Sequence, residues 1–170
     1  FVAIATHLTP EEIDYILQDS GAEVFITSKA MENSSIALAM ENIPTTNRLV
    51  LDGKIEGFAD LITALSKQNK TPILDQSEGI EMLYSSGTTG RPKGILKPMP
   101  KEDFGFPSSS YLLTSKIYGM DEETIYLSPA PQYHAAPLLF SMRALRFGAS
   151  IVIMEKFDAE NALNLIEKYK

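Results

Sequence analysis

The chain has 170 residues, 44% of them hydrophobic, which suits one compact domain with a sizeable core. Its 15 Lys and Arg against 22 Asp and Glu give a net charge of −7, which argues against general binding to nucleic acid or anionic membranes. The absence of Cys excludes disulfides and Cys-based zinc sites, and no apolar run approaches the roughly 18 residues of a membrane span, so we expect a soluble, cytoplasmic protein.

The first predicted helix has clear signals at both ends. Thr9 and Glu12 form a T-x-x-E capping box, and Pro10 suits the first turn. Gly21 is placed to end the helix. Residues 23–27, which are rich in branched and aromatic side chains, then predict a short strand.

Helices and strands continue to alternate along the chain. Further helices are predicted near 30–41, 58–67 and 108–118, after Pro137, and from the capping residue Asp158 to the end. Further strands are predicted at 48–51, 81–86, 124–128 and 151–154. This alternation predicts an α/β sandwich with a largely parallel sheet. Because the chain starts at Phe1 and its last helix has no stop signal, we expect it to be part of a longer protein.

The segment 82–94, MLYSSGTTGRPKG, carries the most chemical information. Gly87, Gly90 and Gly94 can adopt positive φ, so that successive backbone N–H groups converge on an anion. Hydroxyl groups add neutral donors, and these belong to Ser85, Ser86, Thr88 and Thr89. Pro92 stiffens the turn before Lys93, whose ammonium supplies the positive charge that a polyphosphate requires.

Two common nucleotide-binding motifs do not fit this segment. A Walker A loop would place Ser or Thr after its lysine and open a helix, whereas Gly94 follows Lys93 and residues 95–96 suggest a strand. A dinucleotide-binding G-x-G-x-x-G is also absent, since the glycines are three and then four residues apart. The remaining structural alternative is a glycine-rich hairpin loop with a solvated lysine.

From Tyr84 to Gly94 the segment closely resembles the phosphate loop of the adenylate-forming superfamily. That pattern reads aromatic or apolar, Ser/Thr, Ser, Gly, Ser/Thr, Thr, Gly, any residue, Pro, Lys, Gly. The resemblance implies the first part of a large N-terminal domain, with residues 1–170 forming one α/β subdomain of a three-layer sandwich. It also implies an AMP-forming ligase that joins a carboxylate to ATP and transfers the acyl group to coenzyme A.

The resemblance assigns roles within the loop. Thr88 would contact phosphate and Mg²⁺, Thr89 and the amides of 87–90 would contact phosphate oxygens, and Lys93 would neutralise the departing pyrophosphate. Ser85, Ser86 and Gly94 complete the nucleotide-binding set. Mg²⁺ held by phosphates needs only one or two protein ligands.

A second segment, PAPQYHAAPL at 129–138, follows a predicted strand and precedes a helix. At the carboxyl end of a strand it would border the ligand crevice of an open sheet. A lone His beside alanines is by default a packed or capping residue. The resemblance instead implies that Tyr133 and His134 line the acyl site, with His134 a candidate catalytic-site gate and not a general base.

The wider similarity, which extends across nearly the whole chain, has the character of fatty-acyl-CoA synthetases and bile-acid-CoA-ligase-like proteins. We therefore expect a fatty or other hydrophobic acid as the substrate, with ATP, Mg²⁺ and coenzyme A. Two alternatives stay open: an enzyme that loads a carrier protein, and a phosphate-binding scaffold without catalysis. Because the superfamily's downstream adenine, ribose and lysine motifs are not in these residues, we expect this segment alone to be inactive.

Overall fold

The structure is a computed structural model that describes residues 1–85, 91–106 and 109–169. These residues belong to two compact units, Phe1–Pro100 and Lys101–Lys170. Each unit combines helices with parallel strands. The predicted α/β class is therefore confirmed. Within the described residues the strands form three small sheets.

The first helix of the first unit, α1 (Pro10–Asp19), has the predicted capping box. The Glu12 amide donates to Thr9 Oγ1 at 3.3 Å, and the Thr9 amide donates to Glu12 Oε2 at 2.8 Å. Two of the amides that every helix leaves unpaired at its start are thereby satisfied. Gly21 follows the helix with φ +64, a left-handed conformation that costs glycine little.

Three parallel strands follow α1 in the order β1 (Phe25–Ser28), β2 (Arg48–Leu51) and β3 (Ala59–Asp60). The predicted strand at 48–51 has the observed bounds. The helix predicted to start at Phe58 begins later, as α3 (Leu61–Ser66), because 59–60 pair with β2. Asp60 then caps α3 by accepting from the Thr63 amide at 2.7 Å.

The helix predicted near 30–41 is much shorter than expected. A 3-10 turn, Lys29–Met31, leads into α2 (Glu32–Ile36). Beyond it, the amides of Ala39 and Met40 donate to the Asp14 carboxylate at 2.8 and 3.1 Å. These tertiary hydrogen bonds replace the helical ones, so they explain why the helix stops early.

The core of the first unit forms where α1 packs against the segment after α2. Its buried members are Ile13, Leu17, Leu38, Met40 and Ile43. Partly buried apolar side chains surround them, including Phe25 and Phe58. The predicted apolar face of α1 is thus the face that anchors this helix.

The first unit also contains an antiparallel hairpin of β4 (Leu83–Ser85) and β5 (Lys93–Ile95). The strand predicted at 81–86 and the extended character predicted after Lys93 agree with it. Residues 86–92 connect the two strands. The hairpin therefore holds both ends of the glycine-rich segment.

The second unit is built around a β-α-β arrangement. After α4 (Ser109–Tyr118), the parallel strands β6 (Ile125–Ser128) and β7 (Ser150–Ile153) are joined by α5 (Ala135–Arg146), which packs on both. Pro137 lies within the first turn of α5, where proline is tolerated. The unit ends with α6 (Ala159–Lys168), whose capping residue Asp158 accepts from the Asn161 amide at 2.7 Å.

The core of the second unit lies under α5. Met120, Ala144 and Ala149 are buried there, with Tyr126, Phe140, Phe147 and Ile151 packed around them. Among the helices of the described ranges, none has the length and apolar character needed to cross a membrane.

We expect Thr9→Ala to lower the free energy of unfolding of the full-length protein by ~1 kcal/mol, because it removes the side-chain acceptor at the start of α1. Chemical denaturation would measure the change. Thr45→Ala is the matched control, since Thr45 is exposed and no described partner bonds its hydroxyl. Equal stability of the two variants would contradict a stabilising role for the cap.

Candidate functional site

The β4–β5 hairpin sets the geometry at the base of the glycine-rich segment. Ser85 pairs with Lys93, and Tyr84 pairs with Gly94. Because side chains alternate between the two faces of a strand, Ser85 and Lys93 lie side by side on one face. Tyr84 and Gly94 share the other face. The hydroxyl and the ammonium of the predicted site are thus brought together.

The Lys93 side chain is exposed, as is that of Ser85. Within residues 1–85, 91–106 and 109–169, the ion pairs are Lys29 with Glu32 and Lys97 with Glu81. No carboxylate of the described residues therefore neutralises Lys93. An exposed, unneutralised ammonium in an acidic protein is suited to attract an anion.

The prediction that Gly94 adopts positive φ is wrong. Gly94 lies inside β5, and it is not among the glycines with positive φ. It is needed for space instead: a Cβ at this position would lie 2.9 Å from Tyr84 Cζ and 3.0 Å from Tyr84 Oη, and it would also collide with Met82 Cε. The bare backbone of Gly94 thus lets the Tyr84 ring lie across β5.

The Tyr84 hydroxyl reaches α1, where it donates to Asp19 Oδ2 at 2.6 Å. Burial raises the pKa of Tyr84 well above its usual range, and the hydrogen bond and negative charge of Asp19 raise it further. The phenol therefore stays protonated and keeps donating at physiological pH.

Arg91, which follows Gly90, also contacts helix α1. The Arg91 guanidinium lies over the Tyr15 ring, 5.2 Å from its centroid, which is within the range of a cation–π interaction. Arg91 itself is exposed. Both sides of the glycine-rich segment are therefore attached to α1.

The middle of the predicted loop lies outside the described residues. It comprises Ser86, Gly87, Thr88, Thr89 and Gly90. Their predicted contacts with phosphate, and the predicted contact of Thr88 with Mg²⁺, stay predictions. In the described ranges no group of three or more His, Cys, Asp or Glu residues is arranged to hold a metal ion.

Tyr133 and His134, in the second unit, lie immediately before α5. Their ring centroids are 4.5 Å apart. His134 occupies the N-cap position, but its side chain makes no capping hydrogen bond and is exposed. The imidazole therefore does not cap the start of α5.

A buried polar contact supports the turn that carries these two residues. Ser128, which is fully buried at the end of β6, accepts a hydrogen bond from Gln132 Nε2 at 2.7 Å. Ser141 of α5 is also buried, and its hydroxyl lies 3.4 Å from that of Ser128. Ser128 thus connects both the turn at 129–134 and helix α5 to the end of β6.

A cavity of about 950 Å³ lies in the first unit. Apolar residues of the N-terminal segment, α1, β1 and the flanks of the hairpin line most of it, including Met82 and Leu96. Neither Ser85 nor Lys93 contributes to its wall. Because an apolar wall does not stabilise a polyphosphate, this cavity is not the predicted anion site.

Sequence patterns did not reveal Asp19 and Tyr15 as part of the site. Asp19 lies 65 positions from its partner Tyr84, and both α1 residues resemble ordinary members of a polar helix face. The one local signal is the position of Asp19 in the last turn of α1, where a negative charge is unfavourable to the helix dipole.

We expect Gly94→Ala to destabilise the full-length protein by about 1–3 kcal/mol, because the new methyl group overlaps Tyr84 and Met82. Gly79→Ala is the control, since Gly79 has open space around it and no positive φ. Thermal or chemical unfolding would compare the two variants. A Gly94→Ala protein as stable as the Gly79→Ala protein would contradict the steric argument.

Comparisons with known proteins extend over nearly all of the chain. Over 92% of this chain, the sequence is 26% identical to a 2-succinylbenzoate–CoA ligase of Listeria monocytogenes serotype 4b. Over 99% of this chain, it is also 26% identical to a crotonobetaine/carnitine–CoA ligase of Citrobacter koseri. ATP-bound MatB from Rhodopseudomonas palustris has the same fold, with a TM-score of 0.70 and 22% identity over 98% of the chain.

The chain spans about a third of each of these proteins: 34% of each of the two ligases and 32% of MatB. The family of AMP-binding enzymes matches it from residue 1 to residue 170. With the α/β fold and the hairpin-held glycine-rich segment, this match shows that the chain belongs to the AMP-binding enzyme family.

Proposed function

We propose that this chain supplies the pyrophosphate-binding part of an AMP-forming acid–thiol ligase that acts in the cytoplasm on a fatty or other hydrophobic acid. The observation that carries the proposal is the Lys93 ammonium. It is exposed, it is unneutralised by the described carboxylates, and it lies beside Ser85 at the base of the glycine-rich segment.

The proposed reaction has two steps. A carboxylate oxygen attacks the α-phosphorus of ATP, forming an acyl-adenylate as the bond to the β-phosphate breaks and pyrophosphate leaves. The sulfur of coenzyme A then attacks the acyl carbon, giving a thioester, AMP and a proton. A carboxylic acid is already ionised at pH 7, so the first step needs no general base.

The rate of the first step must then come from positioning and charge neutralisation. Lys93 would approach the β- and γ-phosphates, where negative charge accumulates as pyrophosphate leaves. At ~4 Å and an effective dielectric constant of ~20, one such charge pair contributes about 4 kcal/mol before desolvation is subtracted. Ser85 and the predicted donors from Ser86 to Gly90 would add neutral hydrogen bonds.

Mg²⁺ would be held mainly by the phosphates, with the Thr88 hydroxyl as a protein ligand. Such an ion needs one or two protein ligands and keeps several waters. The Ser85 hydroxyl, on the exposed face of the hairpin, fits the same oxygen-rich environment. When bound, Mg²⁺ reduces the negative charge that Lys93 must neutralise.

Tyr133 and His134 would line the path of the acyl group. The absence of a capping hydrogen bond leaves the His134 side chain available to change its orientation. The contact between Gln132 and Ser128 holds the turn while this side chain moves. Such a residue gates access to the adenylate and is not required to transfer a proton.

Coenzyme A is favoured over a carrier protein as the acceptor because both curated relatives are named as CoA ligases. Their acids differ from each other, so their names do not define the acid used here. A carrier-protein ligase and a scaffold without catalysis are the alternatives that the experiments must separate.

The adenylation step can be tested by acid-dependent exchange of labelled pyrophosphate into ATP. We expect the full-length protein to catalyse this exchange with one or more hydrophobic acids, and to release AMP when coenzyme A is added. Exchange without transfer to coenzyme A would favour a carrier-protein acceptor. No exchange with any acid, despite binding of ATP and Mg²⁺, would favour the scaffold.

We expect Lys93→Ala to lower the exchange rate of the full-length protein by about tenfold or more, corresponding to ~1.4 kcal/mol, a modest part of the Coulomb energy. Lys70→Ala is the control, because Lys70 is also exposed and makes no described ion pair. An unchanged rate in Lys93→Ala would refute the role of this ammonium.

A further inference from the structure

We propose that Tyr15 and Asp19 of α1 are positioning residues for the phosphate loop, holding its two ends so that Ser85 and Lys93 face the nucleotide. The inference rests on the proposed function for its ligand, the triphosphate of ATP. Neither residue needs to touch that ligand. Each acts through a residue that borders the loop.

The first attachment is made before the loop. Tyr84 immediately precedes Ser85, and its hydroxyl donates to Asp19 Oδ2 at 2.6 Å. Hydrogen bonds to an ionised carboxylate are short and strong compared with neutral ones. Gly94, the cross-strand partner of Tyr84, has no side chain, and a Cβ there would crowd the Tyr84 ring as it reaches Asp19.

The second attachment is made after the loop. Arg91 lies two residues before Lys93, and its guanidinium lies 5.2 Å from the centroid of the Tyr15 ring. Pro92 between them has a fixed φ, which limits how far the backbone can turn. Holding Arg91 therefore restricts the start of β5, where Lys93 is located.

The two α1 residues are placed to act together. Tyr15 and Asp19 are four positions apart, so they lie on the same face of the helix, one turn from each other. One rigid surface thus contacts the chain on both sides of the loop. This surface is itself fixed, since Ile13, Ile16 and Leu17 of α1 are buried.

The stability of α1 does not explain why position 19 is an aspartate. It is the last residue of the helix, and no basic residue accompanies it in the last turn. A carboxylate there opposes the helix dipole, and Asp is a poorer helix former than Ala. Its contact with Tyr84 supplies the missing reason for a carboxylate at this position.

The test uses the full-length protein with Asp19→Ala, Tyr84→Phe and Tyr15→Leu, assayed by pyrophosphate exchange. We expect each variant to raise the KM for ATP by about three- to tenfold, the range for one lost hydrogen bond or cation–π contact. The KM for the acid should not change. Asp19→Asn, which keeps an acceptor oxygen, should recover part of the loss.

Matched variants control for general effects. Asp75→Ala removes an exposed carboxylate that has no described partner, and Tyr118→Phe removes an exposed hydroxyl that has no described hydrogen bond. Neither variant should raise the KM for ATP. Because losing any carboxylate favours an anionic ligand, Asp75→Ala also measures the long-range charge effect.

A double variant tests the contact directly. If Asp19 acts through Tyr84, Asp19→Ala combined with Tyr84→Phe should raise the KM for ATP no more than the larger single effect. Additive effects would overturn the link between the two residues. A KM for ATP like that of the controls in both single variants, or an equal rise in the KM for the acid, would overturn the positioning role.

Amide hydrogen exchange separates this inference from the proposed function. In Asp19→Ala and Tyr84→Phe, peptides covering residues 83–95 should exchange faster than in the wild type, and peptides from α1 should not. This result would support the attachment of the loop to α1 even if the wild type showed no pyrophosphate exchange. The absence of pyrophosphate exchange would refute the proposed ligase function and not the attachment. Unchanged protection of 83–95 would overturn the attachment.

Discussion

The antiparallel pairing of Tyr84 with Gly94 sets the positions of the proposed phosphate-binding side chains. It puts Ser85 beside Lys93 on the exposed face of the hairpin and turns the Tyr84 ring toward α1. A shift of β5 by one residue relative to β4 would move the side chains of β5 to the opposite face. The Lys93 ammonium would then share a face with the Tyr84 ring instead of with Ser85.

The charge of the chain makes the placement of this ammonium more important. With a net charge of −7, the chain repels a triphosphate. In the proposed function, a local cation offsets that repulsion at short range, where screening by salt has least effect. The hairpin keeps Lys93 away from the described carboxylates, and the contact with Tyr15 fixes Arg91 in the same neighbourhood.

Local signals predicted most of the elements. The capping box at Thr9 and the strand at 48–51 appear as expected, because capping and side-chain pattern act over a few residues. Long-range contacts caused the errors. Asp14 takes the amides of 39–40 and shortens the second helix, and β3 uses residues that the helical pattern had included.

The candidate site was predictable to a similar extent. The composition of the glycine-rich segment predicted a phosphate-binding role, which stays a prediction, and the hairpin places Ser85 beside Lys93 on one face. The role of Gly94 was misjudged because a glycine in a sequence does not reveal whether it supplies φ or space. Asp19 and Tyr15 were missed because their partners are distant in sequence.

The space above Gly94 also links the identities of residues that lie far apart in the chain. With an aromatic ring at 84 and a Met at 82 in that space, a methyl group at position 94 would force both side chains to shift. A related protein with small residues at 82 and 84 would be released from this restriction, but it would also lose the phenol that reaches α1. Among homologues, the residues at positions 19, 84 and 94 should therefore covary.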